Sequence, residues 1–415
     1  MVLGDGMQLT VDSGQLPVGW KVKKLAEVCQ VEKSQGIYKN LPYIGMENIE
    51  SNTAKFIGST ELQSVKSSTF RFNHKHILYG RLRPYLNKVL APDFEGHCST
   101  EIFPIKPSEC LNRYFLLYWL LMDSTVKCIN ATCTGARMPR ANMNSVFEFD
   151  FPLPPLTEQK RIVAILDEAF EGIDRAIANA EKNLANSREL FESYLNAIFT
   201  QKGDGWVQSK LSEVCEKITD GTHQTPKYFE TGFVFLSSRN VTSGTINWDK
   251  VKYVDEAQHI AMQKRISPRL HDILLAKNGT TGVAALVDKD IDFDIYVSLA
   301  LLRPLAAILP RFMLHFVNSP VAKGQFNKRL KGIGVPNLHL EEIREVTICY
   351  PQDLALQEAI VVKIDEMRSQ ILRLETIYRQ KIAALNELKQ SILQKAFTGE
   401  LTADTPKTVK EEIAA

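Results

Sequence analysis

The chain has 415 residues, which is longer than one hydrophobic core usually organises, so two or three domains are expected. Its hydrophobic content of 44% and its charged content of 24% are typical of a soluble globular protein and exclude wholesale disorder and fibrous folds. The formal net charge is only +2, so a nucleic-acid role has to be argued from the distribution of charge and not from its total.

The sequence predicts neither export nor insertion into a membrane. Residues 1–16 lack the basic start and the apolar core of a secretory signal. The apolar run YFLLYWLLM, which begins at Tyr114, is far shorter than the roughly 18 residues that cross a bilayer. Seven cysteines without a CxxC pair suit reduced thiols. We therefore expect a cytoplasmic protein.

The chain repeats itself at long range. The stretch GWKVKKLAEVC at residues 19–29 matches GWVQSKLSEVC at residues 205–215 in seven of eleven positions. The two copies are 186 residues apart here and 198 residues apart at the blocks that begin at Thr157 and Ala355. Insertions therefore lie inside the repeat, and the chain is predicted to contain the same unit twice.

The duplication predicts an α+β fold in which globular domains alternate with long helices. Short β-branched and aromatic runs such as HILYGRL and DILLAKN predict strands, and YFLLYWLLM and RFMLHFVNS predict buried helices packed on those strands. The predicted segments are an N-terminal lead at 1–16, a mixed α/β domain at 17–155, a long helix at 156–202, a second mixed α/β domain at 203–351, a second long helix at 352–400 and a C-terminal tail at 401–415.

The two long helices carry an apolar repeat that predicts a coiled coil. In the second helix, apolar residues alternate four and three positions apart, which is a heptad seam. The predicted seam residues are Ile162, Leu166, Ile173 and Leu184 in the first helix and Ile360, Ile364, Met367, Ile371, Leu374 and Tyr378 in the second. Small residues such as Ala169 and Ala176 leave space that larger side chains of the second helix can fill. The alternative is two ordinary core helices of unrelated domains.

Enzyme signatures are absent from the sequence. It contains no GxxxxGK[ST], HExxH or GxSxG motif, no Gly-rich turn after a strand, and no Asn-Pro-Pro-Tyr loop of the kind that holds a target adenine. His74 and His76 lack a completing set of metal ligands and are predicted to be solvated or to face phosphates. The alternating acids from Asp288 to Asp294 lack the pattern of a calcium loop and are predicted to lie on a solvated strand edge.

Basic residues are concentrated in one stretch of each domain. Residues 62–92 contain six Lys or Arg and no acid, with Tyr79 and Tyr85 between them, and residues 295–340 also contain six and no acid. A basic run is usually a solvated face. One such run in each repeat of a nearly neutral chain nevertheless favours contact with duplex DNA.

Polar side chains that can read base edges occur in TGARMPRAN from Thr134 and in AKNGTTG from Ala276. Arg suits guanine and Asn suits adenine in the major groove, and the sequence leaves open which side chains contact bases and which contact phosphates. The candidate DNA-contacting residues are Arg71, Lys75, Arg81, Arg83, Tyr85, Lys88, Thr134, Arg137, Arg140, Asn142, Arg239, Lys264, Arg265, Lys277, Asn278, Thr280, Lys323, Lys328, Arg329 and Lys331.

The phrases that introduce and end the long helices carry a family resemblance. The first helix is introduced by PLPPLTEQKRIVAILD, the second ends with SILQKAFTGEL, and the domains contain GW, ILYGRLRPYL and CSTEIFPI. From about Pro17 to Leu401, the chain resembles the specificity subunit of type I restriction-modification systems. Through this resemblance, the two globular domains are identified as target-recognition domains.

The resemblance implies DNA recognition without catalysis. Each target-recognition domain would bind one half of a bipartite, asymmetric site on double-stranded DNA, and two antiparallel helices, forming a coiled coil with pseudo-two-fold symmetry, would space the domains. Two methyltransferase subunits would dock on the chain, and restriction/translocase subunits would join them.

Catalysis and cofactors would then belong to the partners. S-adenosylmethionine, ATP and Mg would bind to those subunits, which would methylate adenine N6 and cleave DNA, while this chain would hold no cofactor or metal. The alternatives are a self-sufficient DNA methyltransferase and a coiled-coil scaffold without DNA specificity.

Overall fold

The computed structural model describes residues 2–3, 9–10, 16–62, 65–201, 203–241, 244–279, 281–330 and 337–403. The chain forms two compact units. Unit 1 contains residues Met1–Ala180 and Gln380–Ala415, and unit 2 contains residues Glu181–Arg379. Each unit therefore combines one globular domain with a part of both long helices.

Unit 1 is built from short strands and short helices. Its strands are β1 (Val2–Leu3), β2 (Leu9–Thr10), β3 (Lys21–Lys24), β4 (Cys29–Val31), β5 (Gln35–Gly36), β6 (Tyr43–Ile44), β7 (Thr69–Phe72), β8 (Ile77–Gly80), β9 (Val89–Leu90), β10 (Gly96–Cys98), β11 (Ile102–Pro107) and β12 (Asp150–Leu153). Its short helices are α1 (Leu25–Val28), α2 (Arg113–Leu120), α3 (Asp123–Ala131) and α4 (Met143–Phe147), with 3-10 turns at Met46–Asn48 and Pro84–Leu86. The first long helix, α5 (Leu156–Phe199), begins in unit 1 and ends in unit 2.

The core of unit 1 contains a four-stranded antiparallel sheet in the order β4-β11-β8-β9. In its centre, Tyr79 of β8 pairs with Phe103 of β11. Ile77, Leu78 and Tyr79 are at most 1% exposed, as expected for apolar and aromatic strand residues in the middle of a core. A second sheet in the order β5-β7-β10-β6 and a ribbon of β12 and β3 complete the domain.

Unit 2 repeats this plan with different loop lengths. Its strands are β13 (Trp206–Lys210), β14 (Cys215–Asp220), β15 (Phe233–Leu236), β16 (Lys252–Val254), β17 (Ile273–Ala276), β18 (Ala284–Leu286), β19 (Phe293–Ile295), β20 (Leu299–Pro304) and β21 (Thr347–Pro351). Its short helices are α6 (Leu211–Val214), α7 (Glu256–Gln263), α8 (Pro310–Asn318), α9 (Pro320–Asn327) and α10 (Leu340–Arg344), with a 3-10 turn at Ser238–Asn240. The second long helix, α11 (Leu354–Thr398), begins in unit 2 and ends in unit 1.

Two of the sheets of unit 2 match sheets of unit 1. The four-stranded sheet β14-β20-β17-β18 corresponds to β4-β11-β8-β9, and the ribbon of β13 and β21 corresponds to that of β3 and β12. A further sheet has the order β16-β15-β19, in which β15 and β19 run parallel. The repeat in the sequence is therefore a repeat of the fold, and the two mixed α/β domains are confirmed.

The two apolar runs predicted to be buried helices form α2 and α8. Phe115 in α2 and Phe312 in α8 are fully buried. In unit 1, the ring centroid of Phe115 lies 4.6 Å from that of Phe397, near the end of α11. In unit 2, the ring centroid of Phe312 lies 5.4 Å from that of Phe199, at the end of α5. Each long helix thus ends in the core of the unit in which the other long helix begins.

The long helices run antiparallel. In unit 1, Lys389 of α11 forms an ion pair with Asp174 of α5. In unit 2, Arg188 Nε of α5 donates to Glu375 Oε1 of α11 at 2.8 Å. Moving 14 residues forward along α5, from 174 to 188, moves the partner 14 residues back along α11, from 389 to 375. The predicted antiparallel helix pair is confirmed, and its pseudo-two-fold symmetry stays a prediction.

Most of the predicted seam residues are covered by packing. Ile162, Leu166, Ile173, Ile364 and Ile371 are buried, and Leu184, Ile360, Met367 and Tyr378 are half-buried. Leu374 is 38% exposed, so its assignment to the seam is wrong. The next residue, Glu375, lies on the face of α11 that contacts α5, and its side chain is only 13% exposed in its ion pair with Arg188. One residue turns an α-helix by about 100°, which directs Leu374 away from α5.

Polar side chains cover much of the surface of the long helices. The described segments contain no helix that combines the length and the apolar character needed to span a membrane.

A buried glutamine fixes the start of each long helix. In unit 1, Gln159 is fully buried, and its Oε1 accepts a hydrogen bond from Asn112 N at 2.7 Å. Its Nε2 donates to Cys110 O at 2.9 Å and to Pro154 O at 2.8 Å. The side chain therefore satisfies two backbone groups in front of α2 and one in front of α5, and it joins the domain to the helix.

Gln357 makes the same three bonds in unit 2. Its Oε1 accepts from Leu309 N at 2.8 Å, and its Nε2 donates to Ala307 O at 2.9 Å and to Pro351 O at 2.8 Å. Gln159 and Gln357 occupy the same position of the matching blocks TEQKRIVAILDEA and ALQEAIVVKIDEM. The ungapped match therefore marks a joint between domain and helix.

Candidate nucleic-acid interface

In unit 1, two loops join at the C-terminal end of β8. The first contains residues 81–88, and the second contains residues 132–142. Arg83 N donates to Pro139 O at 2.8 Å, which ties the loops together. The candidate residues of ILYGRLRPYL and TGARMPRAN therefore lie on one continuous surface.

A single carboxylate gathers two arginines of these loops. Glu101, just before β11, accepts hydrogen bonds from Arg81 Nε at 3.1 Å and from Arg140 Nη2 at 2.8 Å. Arg140 Nε also donates to both carboxylate oxygens, at 3.0 and 3.1 Å. The Arg140 guanidinium, with the charge of Arg81, holds the pKa of Glu101 below its ordinary value in spite of partial burial. The carboxylate stays ionised, and two guanidinium charges against one carboxylate leave the cluster positive.

Arg81 is also placed over an aromatic ring. Its guanidinium carbon lies 4.9 Å from the centroid of the Phe103 ring, which is a cation–π distance. Among the described residues, the Arg81 side chain donates to protein through Nε alone, and it is 33% exposed. Its two terminal nitrogens are therefore available to a ligand.

The turn between these contacts is strained. Arg83 and Asn87 have φ angles of 52° and 40°, in the left-handed region that residues other than glycine rarely adopt. They flank the 3-10 turn Pro84–Leu86, where Tyr85 is 51% exposed. Strain of this kind clusters at functional loops. Here it holds the exposed side chains of Arg83 and Tyr85 beside the cluster around Glu101.

Unit 2 carries a comparable cluster around Asp220, at the end of β14. Lys277 Nζ donates to Asp220 Oδ2 at 2.5 Å, and Arg265 Nη2 donates to Asp220 Oδ1 at 2.5 Å. His223 Nε2 lies 3.2 Å from Oδ1, and Arg265 Nε donates to Asp220 O at 3.0 Å. Burial alone would raise the pKa of Asp220, but the bonds from Lys277 and Arg265 outweigh burial and lower it. The carboxylate is therefore ionised.

The two clusters occupy equivalent positions in the two domains. Arg81 and Lys277 are the first residues after β8 and β17, the corresponding strands of the two four-stranded sheets. Ala141 N donates to Arg81 O at 2.9 Å in unit 1, and Leu338 N donates to Lys277 O at 3.0 Å in unit 2. In both units, the corresponding end of the four-stranded sheet is therefore bonded to a loop that follows later in the chain.

A glycine is required beside Asp220. A Cβ atom on Gly221 would lie 1.8 Å from Ile295 O, and Thr222 N donates to that oxygen at 3.0 Å. This close approach fixes the loop that presents His223, whose side chain is 61% exposed. The backbone therefore places an exposed imidazole next to the buried carboxylate.

A family model described as "Type I restriction modification DNA specificity domain" matches residues 17–184 and 203–385. The chain belongs to this family. The model matches each globular domain once, so both are DNA specificity domains, and the resemblance drawn from the sequence is confirmed.

Curated relatives are specificity subunits of type I restriction enzymes. The chain is 22% identical to the EcoKI specificity subunit of Escherichia coli (strain K12), over 95% of this chain and 91% of that subunit. It is 28% identical to the EcoDI specificity subunit of Escherichia coli over 44% of this chain and 42% of that subunit. It is 23% identical to the EcoBI specificity subunit of Escherichia coli over 69% and 65% of the two chains. The chain thus spans less than half of the EcoDI subunit, about two thirds of the EcoBI subunit and nearly all of the EcoKI subunit.

Two solved structures share the fold of these DNA specificity domains and long helices. A chain from a study of complex assembly and conformational transition of the type I R-M system has a TM-score of 0.77 at 23% identity, covering 93% of this chain and 99% of that chain. The HsdS subunit from Thermoanaerobacter tengcongensis has a TM-score of 0.56 at 21% identity, covering 93% and 98%. The predicted fold class is confirmed.

Many of the predicted DNA contacts are exposed on the DNA specificity domains. Those outside the two clusters are Arg71, Lys75, Arg83, Tyr85, Thr134 and Arg137 in unit 1, and Arg239, Lys264, Lys323 and Lys328 in unit 2. Arg71 Nη2 lies 3.3 Å from Glu95 Oε2 in an exposed ion pair. The joined loops bring together Arg81, Arg83, Tyr85, Thr134, Arg137 and Arg140, while Arg71 and Lys75 lie on and after β7. Their contact with DNA stays a prediction.

Two of the predicted contacts are turned into the protein. Lys277 is 5% exposed, and its ammonium group is bonded to Asp220. A direct contact of Lys277 with DNA is therefore wrong, because a buried ammonium that left its carboxylate would leave an unpaired charge. Lys88 is half-buried, and its Nζ donates to Met46 O at 2.6 Å, which links two turns of unit 1.

Three other predicted contacts serve the local backbone. Asn142 caps α4, since its Oδ1 accepts from the N–H three residues later at 3.4 Å, so it cannot present both amide atoms to an adenine. Arg329 Nη1 donates to Gln325 O at 3.0 Å. Asn278 forms a β-bridge with Asn337. The predicted contacts Thr280 and Lys331 lie outside the described residues.

The carboxylates at the centres of the clusters do not belong to the predicted set. Glu101 follows shortly after a stretch that stands out because it has no acid, and Asp220 is 57 residues before Lys277. A search for basic stretches in the sequence finds the cations but not the carboxylates that bind them. The pairs exist only because the fold brings neighbouring strands and loops together.

Two predictions of solvated side chains are wrong. His76 is 4% exposed, and its Nε2 lies 3.1 Å from Glu32 Oε2. Asp294 is 2% exposed, with Oδ2 2.8 Å from His259 Nδ1 and Oδ1 accepting from Gln263 Nε2 at 3.0 Å. Buried polar groups need such partners, which the sequence pattern does not reveal. In the part of the chain that the structure describes, no group of three or more His, Cys, Asp or Glu residues is placed to hold a metal ion.

Proposed function

We propose that this chain is the DNA-recognition subunit of a type I restriction-modification complex. Each DNA specificity domain binds one half of a bipartite, asymmetric site on double-stranded DNA. The observation that carries the proposal is the duplicated cationic cluster, one per domain at the same end of the same sheet, in a chain whose net charge is only +2. The clusters are built from different residues, so the two half-sites differ in sequence.

The exposed side chains of each domain suit the two kinds of contact that DNA recognition requires. Exposed cations such as Lys75 and Arg137 in unit 1 and Arg239 and Lys328 in unit 2 suit phosphates. Phosphate contacts supply affinity and register, whereas contacts with base edges in the major groove supply sequence preference. An arginine held in one orientation, as Arg81 is, suits the second role.

The long helices carry the partner subunits and space the two domains on DNA. On α11, Val362, Leu372 and Ile377 are 46%, 54% and 46% exposed. Apolar side chains exposed along a helix favour a protein partner. Two methyltransferase subunits dock there and restriction/translocase subunits join them, in agreement with relatives that are subunits of type I restriction enzymes.

Catalysis belongs to those partners in this proposal, and the chain itself is not an enzyme. S-adenosylmethionine, ATP and Mg bind to the partner subunits, which methylate adenine N6 and cleave DNA. Neither the family nor the fold favours a self-sufficient methyltransferase or a scaffold without DNA specificity.

Mapping of methylated adenines in the host genome tests this function. With the chain present, methylation is expected at one two-part motif with a constant unread gap. Deletion of the gene should abolish methylation at that motif, and its return on a plasmid should restore it. A methylation pattern that is the same with and without the chain would show that the proposal is wrong.

A further inference from the structure

Each cluster contains a carboxylate in the place where the proposed function puts DNA. The Glu101 side chain is 23% exposed and the Asp220 side chain is 4% exposed. An acid beside a phosphate backbone repels it, so each carboxylate weakens binding unless it serves another purpose. A buried ion pair is also weak evidence for stability, because desolvation offsets much of its attraction.

The carboxylate of unit 1 fixes the orientation of a guanidinium group. Glu101 is locked by Arg140, which donates to it through Nε and Nη2. Arg81 donates to the same carboxylate through Nε and stacks on Phe103. With Nε anchored, the two terminal nitrogens of Arg81 form the free edge of a planar fork. That edge matches the O6 and N7 acceptors of guanine in the major groove.

The carboxylate of unit 2 does the same for a different arginine. Arg265 anchors Nε on Asp220 O and Nη2 on Asp220 Oδ1, and its side chain is 47% exposed. Lys277, whose side chain is 6% exposed, neutralises the same carboxylate from within the protein. The buried lysine therefore neutralises the carboxylate, and the exposed arginine faces the ligand. His223 Nε2 lies 3.4 Å from Arg265 Nη2, so Nη1 is the terminal nitrogen of Arg265 without a bond to another described residue.

We propose that Glu101 and Asp220 are positioning residues of two base-reading sites, in which Arg81 and Arg265 each read a guanine in the half-site bound by their own domain. This inference rests on the proposed function and assigns its specificity to two residues. A fixed guanidinium loses little conformational freedom on binding and accepts only one arrangement of acceptors, which is the requirement for sequence preference.

Substitution of the carboxylates tests the proposal in the complex with methyltransferase subunits. The complex methylates a DNA library with randomised half-sites, and sequencing of methylated products gives the base preference at each position. Glu101→Gln keeps the shape of the side chain and removes its charge. We expect the preference for one G·C pair to fall about tenfold in one half-site, with the other half-site unchanged. Asp220→Asn should relax only the other half-site.

Two other carboxylates serve as matched controls. In unit 1, Glu32 accepts from Lys106 Nζ at 2.6 Å and lies 3.1 Å from His76 Nε2. Lys106 is at the opposite end of β11 from Glu101. In unit 2, Asp272 is 2% exposed and accepts from Arg303 Nη2 at 2.7 Å, just before β17. Glu32→Gln and Asp272→Asn should lower the thermal midpoint of unfolding without altering either half of the motif.

The outcomes separate positioning from a structural role. The inference is wrong if Glu101→Gln or Asp220→Asn lowers methylation of all sequences equally, or if the control variants relax the motif as much. If a carboxylate variant does not fold, Arg81→Lys and Arg265→Lys decide, because lysine keeps the charge but cannot form two parallel bonds. An unchanged motif in those variants rejects base reading. A native complex without a two-part motif would instead contradict the proposed function.

Discussion

Unit 1 and unit 2 share a four-stranded sheet and a two-stranded ribbon but differ at a contact between domain and long helix. In unit 1, the Tyr118 hydroxyl of α2 donates to Asp167 Oδ1 of α5 at 2.5 Å. In unit 2, the corresponding residues are His315 of α8 and Asp365 of α11, with 3.0 Å between Nε2 and Oδ1. An imidazole titrates near neutral pH and a phenol does not. The two halves of one repeated fold therefore respond differently to acid.

The comparison teaches which features of the repeat are fixed by geometry. The bonds of Gln159 and Gln357 are the same in both units. The cationic clusters occupy the same sheet end, but their carboxylates come from different strands, since Glu101 precedes β11 and Asp220 ends β14. Where a side chain satisfies buried backbone groups, the residue repeats, and where it faces a ligand, only the arrangement repeats.

The largest expected effect concerns the glutamine joint. Gln159→Leu and Gln357→Leu each leave one buried N–H and two buried C=O groups without a partner. The free energy of unfolding should fall by about 3 kcal/mol or more in either variant. Denaturant titration of the full chain measures the loss, and hydrogen exchange assigns it to a unit. The exposed Gln370 is the control, and Gln370→Leu should change little. Clearly unequal losses would show that the two joints are not equivalent.

A smaller effect, which depends on pH, is expected at His315. Burial is the main cause that lowers the pKa of His315. The charge of Asp365 raises this pKa, and the charges of Arg368 and Arg311 lower it further. Because the folded-state pKa lies below the unfolded value of about 6.5, the unfolded chain binds the proton more readily. Unit 2 should therefore lose stability as the pH falls through about 6.5, and keep it above.

Reciprocal substitutions make this difference between the units measurable. His315→Tyr should reduce the dependence of unit 2 stability on pH, and Tyr118→His should introduce such a dependence into unit 1. Hydrogen exchange of α2 and α8 over a range of about pH 5 to 8 follows both units in one experiment. A slope in unit 2 that is the same with tyrosine at position 315 would contradict the assignment.

The smallest effect is expected from the ion pairs between the long helices. In unit 1, Lys389 pairs with Asp174, lies 5.1 Å from the centroid of the Phe170 ring, and is 20% exposed. In unit 2, Arg188 is 53% exposed. Lys389→Ala should lower the stability of unit 1 by about 1 kcal/mol, and Arg188→Ala should change unit 2 by less. Thermal unfolding at low and high salt measures both, and a larger loss for Arg188→Ala would reverse the expected order.

The long helices could be predicted closely from the sequence. The predicted ranges 156–202 and 352–400 compare with Leu156–Phe199 and Leu354–Thr398 in the structure. A period sustained over about forty residues averages out local irregularities. The period predicts single positions less well, because the residue that faces the other long helix also depends on the side chains of that helix. Glu375, which pairs with Arg188, therefore occupies the face predicted for Leu374.

The sequence indicates the loops that form the candidate site, but not which of their side chains are exposed and which are paired within the protein. Basic stretches and polar loops predict both Arg81 and Arg140 as candidate DNA contacts, and the structure adds that they share the Glu101 carboxylate. Composition does not report burial, so the sequence predicts a DNA contact for Lys277, which in the structure neutralises Asp220 within the protein. Such pairs join residues that are far apart in the chain, and only the strand order brings them within hydrogen-bond distance.

The division of each long helix between the units has a consequence for synthesis on the ribosome. Unit 2 is one uninterrupted stretch, Glu181–Arg379, whereas the core of unit 1 needs Phe397 against Phe115. The half of the molecule that is translated first can therefore complete its folding only after the other half has been made. A nascent chain that stalls before Phe397 leaves an apolar surface on Phe115 uncovered, which makes it a target for chaperones and proteases.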